Sequence, residues 1–103
     1  MLMEEINKVN GQEQIENSNN IIYIHNDPVM QSALDVLSSL GNKKQVVLRA
    51  KGNSIPNAVA VANIITEKML KGNSKIGKIL LDTESEPGIG RMLSTIEIIL
   101  NKF

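Results

Sequence analysis

The order of apolar and polar residues predicts four β-strands and two helices after residue 20. Residues 21–25 read Ile-Ile-Tyr-Ile-His, a β-branched and aromatic run without polar interruption that is typical of a strand buried on both faces. A second strand is predicted over residues 45–51, where an apolar centre ends in basic residues. Partly alternating apolar residues predict strands three and four over 75–83 and 94–100.

The first helix is predicted over residues 28–40, between strands one and two. Asn26 and Asp27 supply a side-chain acceptor for the helix start, and Pro28 suits the first helical position because its missing N–H costs nothing there. Apolar residues recur every three or four positions through the segment. Gly41 is predicted to end the helix in the left-handed conformation.

The second helix is predicted to begin after a break at Gly52, with Ser54 and Pro56 marking its start and Gly72 its end. Its apolar positions follow helical spacing and also occupy additional faces, as expected of a largely covered helix. These positions are Ile55, Ala58, Val59, Ala60, Val61, Ala62, Ile64, Ile65 and Met69.

The predicted element order is βαβαββ, which places the chain in the α/β class in its α+β form. Right-handed crossovers put both helices on one face of a four-stranded mixed sheet. Residues 84–93, rich in Pro and Gly, form a loop too long for a tight turn, so we predict an extended, mobile hairpin arm there. The uncovered sheet face and the aliphatic helix surfaces exceed what one small domain hides, so we expect a homodimer.

Length and charge point to one small domain with an acidic leader. The chain has 103 residues, with 11 basic and 11 acidic side chains. Residues 1–20 hold four Glu against one Lys, a charge of −3, whereas residues 21–103 carry +3. We therefore expect an acidic, mostly disordered tail over 1–20 and a mildly basic domain over 21–103. The tail either competes with a polyanion for the basic face or only increases solubility.

The residue inventory disfavours several classes of function. Without Cys there is no disulfide framework, zinc finger or thiol nucleophile, which suits the reducing cytoplasm, and no apolar run approaches the roughly 20 residues that span a bilayer. His25 and Asp27 lack a nucleophile nearby, and the acid pairs formed by Asp82, Glu84 and Glu86 are typical of a solvated arm. We therefore expect no catalytic residues, no metal site, no cofactor and no membrane partner.

The sharpest chemical signal is the segment Arg49-Ala50-Lys51-Gly52 at the end of the second predicted strand. Alternation places Arg49 and Lys51 on one side of the strand, and the helix start that follows offers free N–H groups. Two cations beside such groups favour a phosphate, but the same residues also fit a solvated strand end before a capped helix. One Tyr and one Phe cannot form a base-stacking platform, so any nucleic-acid contact must be mainly to the backbone.

Four separated segments together resemble the Alba family of archaeal chromatin proteins. They are Asp27-Pro28-Val29-Met30, Arg49-Ala50-Lys51-Gly52, residues 55–59 and Ser94-Thr95-Ile96-Glu97-Ile98, and the match runs in order over residues 20–103. The resemblance implies a fold like the C-terminal domain of bacterial translation initiation factor three. It also implies a cytoplasmic, chromosome-associated homodimer that binds double-stranded DNA, and also RNA, with little sequence preference.

The resemblance also indicates which residues contact nucleic acid. Arg49 and Lys51 match basic family positions, Gly52 matches the turn glycine, and Arg91 lies in the arm that reaches towards the minor groove. The remaining expected contacts are Asn26 in the first loop, Asn53 after the second strand, and Lys43 and Lys44 as outer contacts.

Departures from the family pattern weaken this expectation. Asn26 and Asp27 replace a pair of lysines, one of them an acetylation target, and Asn53 and Asn57 replace residues that are basic in many members. Met69 stands where an aromatic residue commonly helps dimers stack along DNA. Each phosphate that the protein does not neutralise lowers the salt slope by about 0.9, so weak binding is expected. The alternative is a divergent module that pairs with a more basic paralogue, or binds RNA, with weak or lost DNA binding.

Overall fold

The computed structural model describes residues 20–86 and 91–103. Its elements are β1 (Ile21–Tyr23), α1 (Val29–Asn42), β2 (Gln45–Lys51), α2 (Ile55–Ile64), β3 (Ser74–Glu86) and β4 (Arg91–Lys102). A 3₁₀ turn, Gly52–Ser54, precedes α2, and a π-helical turn, Ile65–Met69, follows it. The predicted order βαβαββ is confirmed. The predicted disordered tail falls almost wholly on residues 1–19, which lie outside the described residues.

The strands form one four-stranded mixed sheet in the order β1-β2-β4-β3. β1 is parallel to β2, whereas β4 is antiparallel to both β2 and β3. Both helices cover the same face, as predicted, because alternate residues of β2 and β4 join the helices in one buried cluster. Its largest members are Val36, Leu40, Val46, Leu48, Val61, Ile65, Ile98 and Leu100. We call this the covered face of the sheet, and the other the open face.

The first strand differs from its prediction in length and in burial. β1 is an edge strand of 3 residues, because it pairs with β2 alone. Ile22 packs against the covered-face core and Ile24 is buried, but Tyr23 points to the open face and is 57% exposed. Burial on both faces was therefore the wrong expectation: an edge strand with one open face can also carry an uninterrupted apolar sequence.

The start of α1 also differs from its prediction. Pro28 is the residue that precedes the first helical residue rather than occupying the first helical position, and no side-chain hydrogen bond caps the helix there. The carbonyl of Pro28 accepts the first helical hydrogen bond, from the N–H of Ser32 at 3.2 Å. The loop residues Asn26 and Asp27 thus remain outside the helix and are exposed.

The end of α1 is not the left-handed glycine that the sequence predicts. The helix continues through Gly41, and among the described glycines positive φ occurs at Gly52 and Gly72 instead. Lys43 turns the chain with extended backbone and donates its N–H to the Ser39 carbonyl at 3.0 Å. Because this hydrogen bond already satisfies a terminal carbonyl, a left-handed cap is not required.

The hairpin of β3 and β4 is longer than predicted. Its ladder continues through Thr83↔Ser94 and Glu84↔Leu93 to Glu86↔Arg91, so residues 84–86 and 91–93 belong to strands rather than to a loop. Residues 87–90 lie outside the described residues. Glu and Ser have a low strand propensity, so the local sequence predicts a loop here. Cross-strand pairing compensates for that low propensity and extends both strands.

A register shift between Ile76 and Lys78 places Gly77 as the extra residue of β3. A Cβ at Gly77 would meet the side-chain amide of Asn101 on β4, which would have to move to make room. The shift sets which residues of the outer part of β3 face the open side. After it, Leu80, Asp82 and Glu84 share the open face with β4, whereas Ile79 and Leu81 share the covered face.

Candidate nucleic-acid interface

The end of β2 presents its two cations on the open face. Ala50 is buried in the core, whereas its neighbours Arg49 and Lys51 point the other way and retain access to solvent. The strand alternation expected from the sequence is therefore confirmed at this point. The structure also shows what surrounds each cation, which the sequence did not.

Arg49 is held in a row of polar side chains that crosses three strands. Its Nε forms an ion pair with Glu97, its direct partner on β4, and its Nη1 donates a hydrogen bond to the Tyr23 hydroxyl at 3.3 Å. The hydrogen bond to Tyr23, together with Glu97, raises the pKa of Arg49 above its ordinary value although partial burial acts in the opposite direction. Arg49 is thus a fixed and permanently charged group.

Lys51 makes a looser contact. Its Nζ lies 3.4 Å from Oε1 of Glu84, and both side chains are more than half exposed, at 60% and 52%. An exposed ion pair of this kind contributes at most about 1 kcal/mol to stability and is screened by salt. The Lys51 ammonium group is therefore available to exchange its carboxylate partner for another anion.

A shallow cavity of about 600 Å³ opens between these groups on the open face. Among the described residues, its lining includes the cations Arg49 and Lys51 and the carboxylates Asp82, Glu84 and Glu97. The acids therefore outnumber the bases immediately around the cavity. Sequence reasoning did not place these carboxylates in the site. For Glu97 a signal was present, because it occupies a polar position of the alternating fourth strand; for Asp82 and Glu84 the placement depends on the shifted register of β3.

The turn after β2 favours glycine because of its backbone conformation, and a side chain there would also meet a close neighbour. Gly52 has a φ of 52°, a conformation that residues with a side chain rarely adopt. A Cβ at this position would also lie 3.1 Å from Cδ1 of Leu93 on β4. Gly52 thereby allows the hairpin to approach the start of α2, and it places the exposed Asn53 directly beyond Lys51.

The loop between β1 and α1 meets this turn at the edge of the sheet formed by the ends of β1 and β2. Nδ2 of Asn57 donates hydrogen bonds to the carbonyls of His25, at 3.0 Å, and Asp27, at 3.5 Å. The Ser54 hydroxyl lies 3.5 Å from Oδ1 of Asn26. The first loop and the end of β2, about 25 residues apart in the sequence, are thus brought together by the first turn of α2.

The structure separates the other predicted site residues from this edge. Lys43 and Lys44 precede β2, so about 20 Å of strand lies between them and Lys51. Arg91 begins β4 and pairs with Glu86 near the tip of the hairpin. The predicted contacts therefore divide into one compact group at the end of β2 and two outlying groups.

The described residues show no arrangement suited to a metal ion or to membrane crossing. Among residues 20–86 and 91–103, no group of three or more His, Asp and Glu side chains is placed to hold a metal. Within the same residues, no helix combines the length and apolar character needed to cross a membrane. What the site offers chemically is a pair of positioned cations, exposed loop amides and nearby carboxylates.

The sequence of the chain is similar to one known protein family. A family model described as Alba matches residues 20–83. The chain is 36% identical over 88 residues to the DNA/RNA-binding protein Alba of Methanococcus maripaludis, covering 81% of this chain and 98% of that protein. It is 39% identical over 80 residues to the DNA/RNA-binding protein Alba of Nitrosopumilus maritimus, covering 75% and 84%.

Solved structures show the same likeness in three dimensions. The structure of Alba from Thermoplasma volcanium is similar, with a TM-score of 0.72 and 35% sequence identity. The match covers 81% of this chain and 100% of that one. ALBA1 from Trypanosoma brucei has a TM-score of 0.63 at 20% identity, over 82% of this chain and 70% of that one, and shows the shared fold alone.

Proposed function

The chain belongs to the Alba family, and from this premise we propose that it binds double-stranded DNA, and also RNA, mainly through the phosphate backbone with little sequence specificity. In this proposal the protein acts as a dimer in the cytoplasm, associated with the chromosome, and contributes to chromatin organisation. It performs no chemistry on the nucleic acid. The relatives named above are DNA/RNA-binding proteins by their descriptions, which supports the choice of ligand.

One observation carries the proposal for this chain: the first loop and the end of β2 form a continuous edge. Asn57 and Ser54 of the α2 start hold the loop by the hydrogen bonds given above, beside the cations Arg49 and Lys51. Exposed amides and positioned cations along one edge suit a row of phosphates, because both donate to anionic oxygens. The edge contains no aromatic pair for base stacking among the described residues, which favours backbone contact over base reading.

Dimerisation is supported by apolar side chains that the described residues leave uncovered. On the covered-face side of the hairpin, Ile79, Leu81 and Met92 are 51%, 74% and 66% exposed. On α1, Met30 and Leu34 lie one turn apart and are both 54% exposed. Apolar groups at this density favour burial against a second copy.

The dimer proposal is tested by Leu81→Lys in sedimentation experiments. Leu81 is largely exposed, so the substitution leaves the fold of one subunit intact and is expected to shift the protein towards the monomer. The matched control is Leu80→Lys, since Leu80 lies next to it on the open face and is 43% exposed. Equal masses for both variants and the unchanged protein would contradict this interface.

The binding proposal is tested by neutralising both cations, Arg49→Gln with Lys51→Gln, and measuring fluorescence anisotropy on one duplex DNA and one duplex RNA across a salt series. We expect weaker binding to both duplexes and a log-log salt slope lower by about 0.9 for each phosphate that is no longer neutralised. The matched control is Lys68→Gln with Lys71→Gln, two exposed lysines about 20 Å along the helical segment from the α2 start. Equal losses of affinity in both variants would contradict the proposed edge.

A second candidate function is a heterodimer partner with weak or lost DNA binding of its own. It is favoured by the carboxylates around the cavity and by Asn26 and Asp27 in the first loop, which together limit the positive potential of the edge. It predicts a stable complex with a more basic paralogue, and weak or no binding by the homodimer at low salt. Binding of the homodimer to duplex DNA at low salt as tightly as the complex binds it would exclude this function.

A further inference from the structure

The open face arranges its acids and bases in rows that follow the strand register. Arg49 lies opposite Glu97, and Lys51 lies opposite Thr95, which in turn lies opposite Asp82. Glu84 is the next open-face residue along β3, and its carboxylate reaches diagonally across to Lys51. Each cation of the proposed phosphate edge therefore already has a carboxylate partner within the protein.

The two partners hold their cations differently. Glu97 is the direct cross-strand partner of Arg49, its side chain is only 27% exposed, and Tyr23 fixes the same guanidinium from the other side. Glu84 instead contacts a flexible and exposed lysine at 3.4 Å, from the outer part of the hairpin. A bound phosphate would compete with Glu84 for Lys51, because both anions need the same ammonium group.

We propose that Glu84 limits the affinity of this protein for nucleic acid, because its carboxylate competes with the phosphate backbone for Lys51. Binding then includes an exchange at Lys51, in which a phosphate replaces the Glu84 carboxylate. Glu97 has the separate role of positioning Arg49. The inference rests on the proposed function and adds to it a residue that weakens the interaction, which sequence alone places in a solvated arm.

The experiment compares Glu84→Gln with Glu67→Gln in the full chain. Glu67 is an exposed acid in the π-helical turn, so it controls for the removal of one negative charge away from the open face. Affinity for a duplex DNA and a duplex RNA is measured by fluorescence anisotropy between about 50 and 200 mM salt. Each variant is also made in a Lys51→Gln background.

We expect Glu84→Gln to bind more tightly than Glu67→Gln at each salt concentration, by at most about fivefold per subunit, because the exposed ion pair that phosphate must displace is weak. The log-log slopes of the two variants should be similar, because Lys51 neutralises a phosphate in both complexes. The gain should disappear in the Lys51→Gln background, because the competition requires that ammonium group. A general charge effect would instead persist there.

Three results would overturn the inference, and they differ in what they imply for the proposed function. If the unchanged protein binds but Glu84→Gln matches Glu67→Gln, the inference fails alone. If the gain from Glu84→Gln persists in the Lys51→Gln background, Glu84 acts by general repulsion and the exchange is wrong. If neither the unchanged protein nor Glu84→Gln binds either duplex at the lower salt concentration, the proposed function fails with it.

Discussion

The two faces of the sheet use the same strands for different purposes. On the covered face, Leu48 and Ile98 lie opposite each other and are almost completely buried. On the open face, the adjacent pair Arg49 and Glu97 is charged and partly exposed. Neighbouring residues of β2 thus differ in role: Leu48 stabilises the fold, whereas we assign Arg49 to binding. At Leu48 and Arg49, strand alternation separates stability from binding between neighbouring residues, whereas Val47, on the same face as Arg49, is also buried.

The largest expected effect comes from replacing Leu48 by Ala. A large aliphatic side chain with 0% exposure leaves a cavity when truncated, so the free energy of unfolding should fall by about 2–5 kcal/mol. Its neighbour Arg49, replaced by Gln, should lower the same quantity by only about 1 kcal/mol because its ion pair is partly exposed. Urea denaturation measures both. Equal decreases in the free energy of unfolding would contradict the proposed difference between the two faces.

A smaller effect is expected at the turn between β2 and α2. Gly52→Ala should cost about 1–3 kcal/mol, because Ala is strained at positive φ and its Cβ approaches Leu93. Gly41→Ala is the matched control. Gly41 lies within α1 with nothing near the position of a Cβ, so Ala should be neutral or stabilising by up to about 1 kcal/mol. Thermal unfolding of both variants checks the difference, and similar shifts would contradict the role of the turn.

The smallest expected effect concerns the hydrogen bond between Tyr23 and Arg49 on the open face. Tyr23→Phe removes the acceptor for Nη1 of Arg49 and should lower stability by less than about 1 kcal/mol. The Tyr23 hydrogen bond raises the pKa of Arg49, so the stabilisation it gives is present below the ordinary arginine pKa and is lost only above it. The difference between the two proteins should therefore be the same at pH 5 and pH 8. A difference that changes over this range would mean that another group is involved.

The sequence predicted the covered face well. Residues 45–51 form the second strand at their predicted bounds, and the two helices occupy the predicted face, because local hydrophobic spacing reflects burial against one core. The resemblance to the Alba family, read from four short segments, is also confirmed by the family comparison.

The open face and the ends of elements were predicted less well, since they depend on contacts between strands. The extra residue at Gly77 decides that Glu84 faces Lys51. A glycine within a strand is a local signal of such a bulge, but the alternation of apolar residues alone does not show the shift. The edge position of β1, which exposes Tyr23, likewise follows from sheet order rather than from composition. Arg49 and Lys51 were selected correctly as residues of one face, but their carboxylate partners emerged only from the register.

The most direct test of the central claim is a titration of the ¹⁵N-labelled full chain with a short duplex DNA, followed residue by residue by NMR. The account predicts the largest amide shifts at the first loop, around Asn26, and at Lys51 to Asn53, with little change at Lys43 and Lys44. Shifts concentrated at the start of β2 or along the far end of α2, with the Lys51 region unchanged, would contradict the account.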